Sequence, residues 1–325
     1  MFNSGGSIID VPGIKVGHQQ DLVGMTGCSV ILMEQPAVCG VDVRGAAPGT
    51  RETDLLNPVN RVDRVNAILL AGGSAYGLDA ASGVMRYLEQ QNIGFDVGVG
   101  VVPIVPAAVI FDLAFGDAKS RPDAAMGYRA AQQADKSAFP QGNIGAGTGA
   151  TVGKLAGHAL CMKGGLGSAS ITLSNGLIVG AMVVVNAVGE VRDPATQKVL
   201  AGARNQQGEI ESSLSLMLAD VTDGGPAGTN TTIGIITCNA NMNKSQMTKI
   251  AQMAHDGLAR CIYPVHTMSD GDTIFAATTG GVDVSVNLLG TLAADVLAQA
   301  VVNAITYAVG VLGIPSWQDL HQENR

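Results

Sequence analysis

A predicted β-hairpin at residues 169–188 constrains the fold of this chain more than any other local feature. Two apolar runs, ASITL (169–173) and LIVGAMVVVNAV (177–188), flank the tripeptide Ser174-Asn175-Gly176. Asn-Gly between two apolar runs is the strongest short-range signal for a tight hairpin turn. Both runs are apolar nearly throughout instead of alternating, which is typical of strands that are covered on both faces. The sequence therefore predicts a sheet enclosed between other layers.

Further segments predict what encloses that sheet. The expected strands are four short β segments within residues 7–45, namely SIIDV (7–11), KVGHQ (15–19), CSVILME (28–34) and AVCGVDVRG (37–45), and strands at 66–71, 231–240 and 273–280. The expected helices are residues 75–91, 123–133 and 244–260, and a buried helix or helix pair within 284–311. Residues 140–167 and 200–229 are expected to be loops, the second with a short helix at 214–219. This order predicts one α/β domain in which sheets lie between helical layers.

Composition limits the partners and the compartment. The chain is 46% apolar but only 14% charged, so part of the apolar surface is expected in contacts of a homo-oligomer. The net charge of −8 argues against nucleic acid and anionic membrane as partners, because both attract basic patches. The five cysteines form no CxxC pair, and the N-terminal residues lack the pattern of a signal peptide. We therefore expect a cytoplasmic protein.

Nine glycines between Gly142 and Gly167 predict backbone that packs closely around another group. The stretch GAGTGATVGK (145–154) has a faint likeness to a phosphate-binding loop. Five residues separate Gly147 from Gly153, and Leu155 follows Lys154, so the Walker pattern fails and nucleotide binding is rejected. Lys154 is left as a candidate cation of a pocket, or as an ordinary surface lysine.

The junction between Asn230 and Thr231 is a candidate for chemistry. A Gly-Pro-Gly-type loop runs directly into a strand that begins with threonine. If the chain is cut there, Thr231 gains a free α-amine with a reference pKa of about 7.7–8.0, which suits a general base near neutral pH. That amine could take the proton of the residue's own hydroxyl and make it a nucleophile. The ordinary alternative is a loop-to-strand junction without chemistry.

The segment Asp270-Gly271-Asp272 places two carboxylates near each other at a strand start. They could hold the ammonium of Thr231, although Asp-Gly-Asp is also common turn chemistry. The histidines form no HxxxH or HxH motif, so no metal site is expected, and GxSxG is absent. The chemistry outlined here requires no metal and no organic cofactor.

One stretch resembles a known family over a long and specific motif. NTTIGIITCNANMNKSQMTKIAQMAHDGLARCIYPVHTMSDGDTIFAATTG (230–280) is similar to the self-processing L-aminopeptidase/D-amidase-esterase family, which includes β-aminopeptidases and the nylon-oligomer (6-aminohexanoate-oligomer) hydrolase. The resemblance extends from about residue 8 to 310. Further matching segments are AGGSAYGLDAASGV (71–84), VPAAVIFDL (105–113), GNIGAGTGATVGK (142–154) and VVVNAVG (183–189).

The resemblance implies a four-layer αββα sandwich of the N-terminal-nucleophile type, with no cofactor. It implies autoproteolysis into an α chain (1–230) and a β chain (231–325) that stay associated, and tetramer-like assemblies. Thr231 then matches the family's nucleophile. The acidic pair beside it matches Asp270 and Asp272, as in the nylon-oligomer branch, whereas other branches use a serine nucleophile with a Ser/Glu pair.

Further site residues are implied by the same resemblance. Asn186 matches the asparagine that supports the oxyanion, a role that suits an amide NH₂ donor. Lys154 aligns with the active-site lysine of the nylon-oligomer branch, and Lys163 is a rival for that place. Phe111 stands where some members carry a pocket tyrosine, and a phenylalanine ring cannot donate a hydrogen bond. Tyr76 is the nearest aromatic hydroxyl in a matching motif.

The sequence thus predicts a hydrolase that acts on short peptides or small amides through an acyl-Thr231 intermediate. Aminohexanoate oligomers are a second possible substrate class. An acyltransferase of the ornithine acetyltransferase type, which also cuts itself before a threonine, is the alternative enzyme. A non-catalytic binding or structural protein is the alternative outside enzymology, and failure to self-process would support it.

Overall fold

The computed structural model describes residue 3 and residues 5–137, 139–219 and 229–321. Its strands are β1 (Ile14–Asp21), β2 (Thr26–Val43), β3 (Thr50–Arg51), β4 (Arg64–Ala71), β5 (Phe95–Asp96), β6 (Val101–Val102), β7 (Ala107–Val109), β8 (Thr151–Val152), β9 (Met162–Lys163), β10 (Gly165–Thr172), β11 (Ile178–Asn186), β12 (Glu190–Arg192), β13 (Val199–Ala201), β14 (Thr231–Ala240), β15 (Ile262–Tyr263) and β16 (Thr273–Val282). Its helices are α1 (Ala80–Gln90), α2 (Ala124–Gln132), α3 (Ser213–Ala219), α4 (Lys244–Cys261), α5 (Val286–Thr306) and α6 (Trp317–His321).

The main sheet has the order β10-β11-β14-β16-β2-β4-β7-β3, and β1 also pairs with β2. β14 and β16 are parallel, and α4 connects them, as a crossover between parallel strands requires. β2 bends in its middle, where Glu34, Gln35 and Pro36 are exposed and the register with β4 shifts. The part of β2 before the bend pairs with β1, and the part after it pairs with β16. β2 therefore takes part in ladders with β1, β4 and β16.

Alternate residues of β11 enter different hydrophobic cores. Val183 and Val185 pack into the core that α4 and α5 share. Met182 and Val184 point the other way, into a core with residues of β2 and β4 such as Ile31. A third core lies between β4 and the helices α1 and α2. Three cores separate four layers in the order helix, sheet, sheet, helix, which confirms the predicted αββα sandwich.

The apolar helix α5 takes its place inside this sandwich. Within the described residues it is the helix that is long and apolar enough to cross a membrane, and 67% of its most apolar window is buried in the fold. Its buried residues pack on β10, β11 and α4. Packing therefore accounts for its composition, and the prediction of a buried helix in this region is confirmed.

The first 90 residues depart from the predicted elements. Residues 7–11, predicted as a β segment, contain a short 3₁₀ helix (Ile8–Asp10), because the Asp10 carboxylate accepts the Ser7 N–H (3.1 Å) and caps the turn. The separate segments predicted between 28 and 45 are one continuous strand, β2. The helix predicted from residue 75 begins as a 3₁₀ helix at Ser74 and becomes α-helical at Ala80.

The loops and later elements follow the predictions more closely. The hairpin forms between β10 and β11, and β14 spans the predicted residues 231–240. Residues 140–167 are mostly irregular, with only short helical and strand pieces. The short helix predicted at 214–219 is present as α3, while residues 220–228 of the predicted loop lie outside the described residues.

Close approach of α1 to α2 generates a stability prediction. A Cβ added at Gly83 would lie 1.7 Å from the Ala124 carbonyl oxygen. We expect Gly83→Ala to lower the free energy of unfolding by about 1–3 kcal/mol, because the helices must move apart, and this outweighs the gain in helix propensity of about 1 kcal/mol. Urea unfolding measures the change. Glu89→Ala on the exposed side of α1 is the control, and a Gly83→Ala protein at least as stable as that control would contradict the prediction.

Candidate active site

Three strand ends meet at one edge of the main sheet. Thr231 is the first residue of β14, and its antiparallel partner is Asn186, the last residue of β11. On the other side, Asn230 forms an isolated parallel bridge with Asp270, immediately before β16. The parallel register between Ile233 and Thr273 continues this pairing into the sheet. The junction between Asn230 and Thr231 therefore lies between an amide side chain and the acidic segment.

Thr231 and the carbonyl group before it are both buried. The Thr231 hydroxyl donates a hydrogen bond to the Asn230 carbonyl oxygen. The backbone N–H of Gly271 donates to the same oxygen at 3.0 Å. A Cβ at residue 271 would lie 2.9 Å from the Thr231 Oγ1 and 2.8 Å from the Ala47 carbonyl oxygen. Only a residue without a side chain fits opposite this hydroxyl without a shift.

The two carboxylates of the acidic segment have different partners. Asp272 accepts the Thr232 N–H on Oδ1 (2.6 Å), and on Oδ2 it accepts from the backbone N–H and Nδ1 of His266 (3.1 and 2.7 Å). Asp270 accepts from the N–H and the hydroxyl of Thr267 on Oδ2 (2.8 and 2.6 Å). Burial, and next the charge of Asp272, raise the pKa of Asp270 from 3.8 to about 6. Asp270 can therefore exchange a proton near neutral pH.

The residues that follow β2 hold the acidic segment in place. The N–H groups of Arg44 and Gly45 donate to the Asp272 carbonyl oxygen (2.9 and 3.2 Å), and that of Ala47 donates to the Asp270 carbonyl oxygen (2.8 Å). A Cβ at Gly45 would lie 2.3 Å from the Asp270 carbonyl oxygen. This close approach fixes the acidic segment through its backbone.

Asn186 and Lys154 lie on the side of the junction between Asn230 and Thr231 that is opposite the acidic segment. The Lys154 ammonium donates to the carbonyl oxygen of Asn186 (2.8 Å) and to its Oδ1 (2.9 Å), and the Thr151 N–H also donates to Oδ1 (3.0 Å). Two donors on Oδ1 fix the orientation of the amide, because the NH₂ group must then point the other way. Its Nδ2 donates one hydrogen to the Phe111 carbonyl oxygen (3.0 Å). A second hydrogen of this NH₂ group is available to another acceptor.

Lys163 has a different environment. Its ammonium is fully buried and donates to the carbonyl oxygens of Gly147, Ala150 and Gly164 (3.3, 2.6 and 3.0 Å). The glycine-rich segment thus wraps around this ammonium, which gives a physical reason for the close backbone packing that its composition predicts. Of the two lysines, Lys154 is the one hydrogen-bonded to Asn186.

Both buried lysines have a perturbed pKa. Burial lowers the pKa of Lys154 from 10.5 to about 7, partly offset by the charges of Cys161, Asp270 and Asp112. Burial likewise lowers the pKa of Lys163 to about 7. An ammonium with such a pKa can lose its proton near neutral pH, so Lys154 can alternate between a charged and a neutral donor to Asn186.

The ring of Phe111 and the side chain of Tyr76 take no part in the hydrogen bonds of Asn186 and Thr231 among the described residues. Phe111 contributes its backbone carbonyl oxygen, which accepts from Asn186 Nδ2, and its ring carries no hydrogen-bonding group. The Tyr76 side chain is 59% exposed, and the Arg121 guanidinium lies over its ring at 3.6 Å. Among the described residues, no hydrogen bond joins Tyr76 to Thr231 or Asn186.

A cavity of about 480 Å³ is linked to this network through one of its lining residues. Its lining is largely apolar, and it includes Thr151, whose N–H contacts the Asn186 amide. The lining residues are Ala114, Phe115, Gly116, Thr151, His158, Ala159, Cys161, Leu312, Gly313 and Ile314. Across residues 5–137, 139–219 and 229–321, no group of three or more His, Cys, Asp or Glu side chains is placed to hold a metal ion.

Two residues of the site escape reasoning from sequence patterns. Gly271 contributes a backbone N–H and empty space, and neither has a signature of its own. His266 contacts Asp272 from a turn six residues earlier in the chain. The only sequence signal for either residue is its presence in the long motif that the chain shares with the hydrolase family.

Comparison with known sequences gives consistent matches. The sequence profile of peptidase family S58 matches residues 6–316. A protein of Mycobacterium tuberculosis (strain ATCC 25618 / H37Rv), described as an uncharacterized aminopeptidase, is 45% identical over 343 residues, which covers 97% of each chain. A 6-aminohexanoate-oligomer endohydrolase of Kocuria sp. (strain KY2) is 33% identical over 315 residues, which covers 91% of this chain and 84% of that protein.

Solved structures share the architecture. The L-aminopeptidase D-Ala-esterase/amidase of Ochrobactrum anthropi, described as a variant of the Ntn hydrolase fold, superimposes with a TM-score of 0.74 at 17% identity, covering 99% of this chain and 94% of that one. A Burkholderia sp. β-aminopeptidase superimposes with a TM-score of 0.70 at 20% identity, covering 99% and 95%. At these identities the likeness shows the fold alone, and that fold agrees with the predicted αββα sandwich.

The raised pKa of Asp270 generates a prediction for stability against pH. The folded-state pKa of about 6 exceeds the unfolded value of about 3.9, so the folded state binds the proton more tightly, and this contribution to stability is lost as the pH rises through 6. In a Thr231→Ala background, the parent should lose this contribution as the pH rises from 4 to 7, whereas Asp270→Asn has no such group to titrate. We therefore expect the difference in unfolding free energy to shift in favour of Asp270→Asn over this range. Urea unfolding at each pH measures the difference. Asp256→Asn, at an exposed carboxylate, is the control, and parallel pH profiles for Asp270→Asn and its parent would contradict the prediction.

Proposed function

Because the chain belongs to peptidase family S58, we propose that it cuts itself between Asn230 and Thr231 and then hydrolyses small amides with Thr231 as its N-terminal nucleophile. The family and its aminopeptidase relatives make the protein a hydrolase. The observation that carries the residue assignment is the Asn230 carbonyl group, whose oxygen accepts both the Thr231 hydroxyl and the Gly271 N–H. The nucleophile thus lies against the bond that it attacks.

The proposed self-cleavage begins with attack of the Thr231 Oγ1 on the Asn230 carbonyl carbon. As this C–O bond forms, negative charge develops on the carbonyl oxygen, which the Gly271 N–H stabilises from 3.0 Å. The C–N bond then breaks, and the departing nitrogen takes up the proton that the Thr231 hydroxyl has lost, which makes it the free amine of Thr231. Water hydrolyses the resulting ester, which restores the hydroxyl and leaves Asn230 with a carboxylate.

In turnover, the freed amine takes the proton of the Thr231 hydroxyl while the oxygen attacks a substrate amide. Asn186 lies opposite Thr231, and the second hydrogen of its NH₂ group serves the substrate oxyanion. Lys154 keeps that amide in the required orientation through Oδ1. Asp270 and Asp272 hold the amine and tune its pKa. The substrate C–N bond breaks, the leaving amine takes the proton from the Thr231 amine, and water then hydrolyses the acyl-Thr231 intermediate.

The cavity lined by Thr151 suits the substrate proposed here. Its volume of about 480 Å³ falls within the usual range for small-molecule pockets, about 300–1,000 Å³, and its lining is mostly apolar. Short peptides and small amides fit this description. Linear aliphatic amides are a second substrate class, favoured by the relative described as a 6-aminohexanoate-oligomer endohydrolase. Neither Phe111 nor Tyr76 lines this cavity, so their pocket role stays a prediction, and we assign Lys163 to holding the glycine-rich segment.

Several properties stay predictions. These are processing into chains of residues 1–230 and 231–325, a tetramer-like homo-oligomer of these units, a cytoplasmic location, and the absence of nucleic-acid and membrane partners. The comparisons do not favour the ornithine acetyltransferase alternative. An assay of acyl transfer to ornithine beside hydrolysis of amino-acid p-nitroanilides discriminates the two activities.

Self-cleavage is tested first at Thr231. We expect the wild type to give bands of about 23 and about 10 kDa on a denaturing gel, in proportion to 230 and 95 of 325 residues and a mass of 33.1 kDa. Thr231→Val should stay intact, because it keeps the β-branched shape but lacks the attacking oxygen. Thr232→Val is the matched control, since the Thr232 hydroxyl is buried without a partner among the described residues. Cleavage of the Thr231→Val protein between residues 230 and 231 would exclude the assignment.

The two proposed oxyanion donors should be separable. Asn186→Asp retains the acceptors for Lys154 and Thr151 but loses the NH₂ group, so we expect self-cleavage to persist while kcat falls by about 10²–10³. Gly271→Ala should block self-cleavage, because its Cβ would crowd the Thr231 Oγ1. Gel analysis gives the cleavage, and hydrolysis of p-nitroanilides gives kcat. If Asn186→Asp protein folds but stays uncut, the separation of donors is wrong.

A further inference from the structure

His266 lies in the turn between β15 and the acidic segment and contacts one oxygen of Asp272 twice. Both its backbone N–H (3.1 Å) and its Nδ1 (2.7 Å) reach Oδ2. Its backbone has a φ of +57°, a left-handed conformation that histidine adopts infrequently. Such a conformation costs free energy and persists only where the surroundings impose it. The pair of bonds to Asp272 is the interaction that this conformation makes possible.

The hydrogen-bond partners settle the tautomer of the ring. The partner of Nδ1 is a carboxylate oxygen, so Nδ1 carries the hydrogen in the neutral ring. The Nε2 atom is buried and has no hydrogen-bond partner among the residues that the structure describes. His266 therefore directs its one ring donor to Asp272.

The ring of His255 packs against the ring of His266. The two rings meet edge to face, with centroids 4.8 Å apart and planes at 74°. The His255 Nε2 lies 3.1 Å from the Asp42 carbonyl oxygen. Burial lowers the pKa of His255 to about 4, so this ring is neutral at pH 7. Helix α4 thus supplies an uncharged wall, and the His266 ring stays turned towards Asp272.

Asp272 transmits this orientation to the strand that carries the nucleophile. Its Oδ1 accepts the Thr232 N–H at 2.6 Å, while Oδ2 is engaged by His266. A carboxylate with both oxygens engaged cannot rotate without losing hydrogen bonds. The chain of contacts from His266 through Asp272 to Thr232 ends one residue from Thr231.

We propose that His266 is a positioning residue that orients Asp272 and, through it, the backbone at Thr231 for self-cleavage and turnover. The inference rests on the proposed function, since it assigns a role within that reaction. His266 contacts no reacting atom itself. Its removal should slow the chemical step and leave substrate binding nearly unchanged.

Isosteric variants provide the test. His266→Asn keeps an N–H donor in the place of Nδ1, and His266→Asp has the same shape but repels Asp272; both residues tolerate a positive φ. We expect His266→Asp to slow self-cleavage and lower kcat on the order of 10- to 100-fold, the effect of losing one charge-assisted hydrogen bond, with little change in KM. His266→Asn should restore most of both rates. The exposed ring of His321 gives the control His321→Asn, which should behave as wild type.

Cell-free synthesis followed on denaturing gels gives the self-cleavage rate of each full-length chain, and p-nitroanilide hydrolysis gives kcat and KM. His266→Gly, which also accepts a positive φ, replaces His266→Asp if the added charge prevents folding. Equal rates for wild type and His266→Asp or His266→Gly would overturn the inference, as would a folded His266→Asn protein that is equally slow. A wild-type chain that never cuts itself would instead overturn the proposed function.

Discussion

The register of β14 between its two neighbours is the constraint on which the site depends. The parallel pairing of Ile233 with Thr273 extends back to Asn230 and Asp270, so Thr231 lies level with Gly271. The antiparallel pairing with β11 sets Asn186 level with Thr231 on the other side. A slip of one residue would turn every side chain of β14 to the opposite face and separate all of these groups. Burial of alternating faces in two different cores makes such a slip costly.

Around this register, the molecule keeps four ionisable groups out of water. Lys154, Lys163, Asp270 and Asp272 are all buried. Each has hydrogen-bond partners, as buried charged groups require. The same burial lowers the pKa of Lys154 to about 7 and raises that of Asp270 to about 6, so both values lie near neutral pH. Each of these two groups can therefore gain or lose a proton near neutral pH.

How far the sequence predicts this structure depends on whether an interaction is local or joins distant parts of the chain. The Asn175-Gly176 turn is local chemistry, and the hairpin there is as predicted. The continuous strand β2 was not predicted, because its stretch from Glu34 to Pro36 has the composition of a turn, whereas in the structure the strand continues through it between its pairings with β1 and β16. Spacing alone could not choose between the two lysines, since the choice depends on contacts with Asn186. A role for Gly271 could not be predicted because it consists of an N–H and a missing side chain.

The order of strands also bears on what holds the molecule together. β14 and β16 both follow residue 230, yet they lie between β11 and β2, which both precede it. Two ladders of hydrogen bonds, one on each side, therefore bind the later part of the chain to the earlier part. A break in the peptide backbone at residue 230 removes one covalent link and neither ladder. If the proposed self-cleavage occurs, β14 and β16 of the later polypeptide therefore stay paired between two strands of the earlier one.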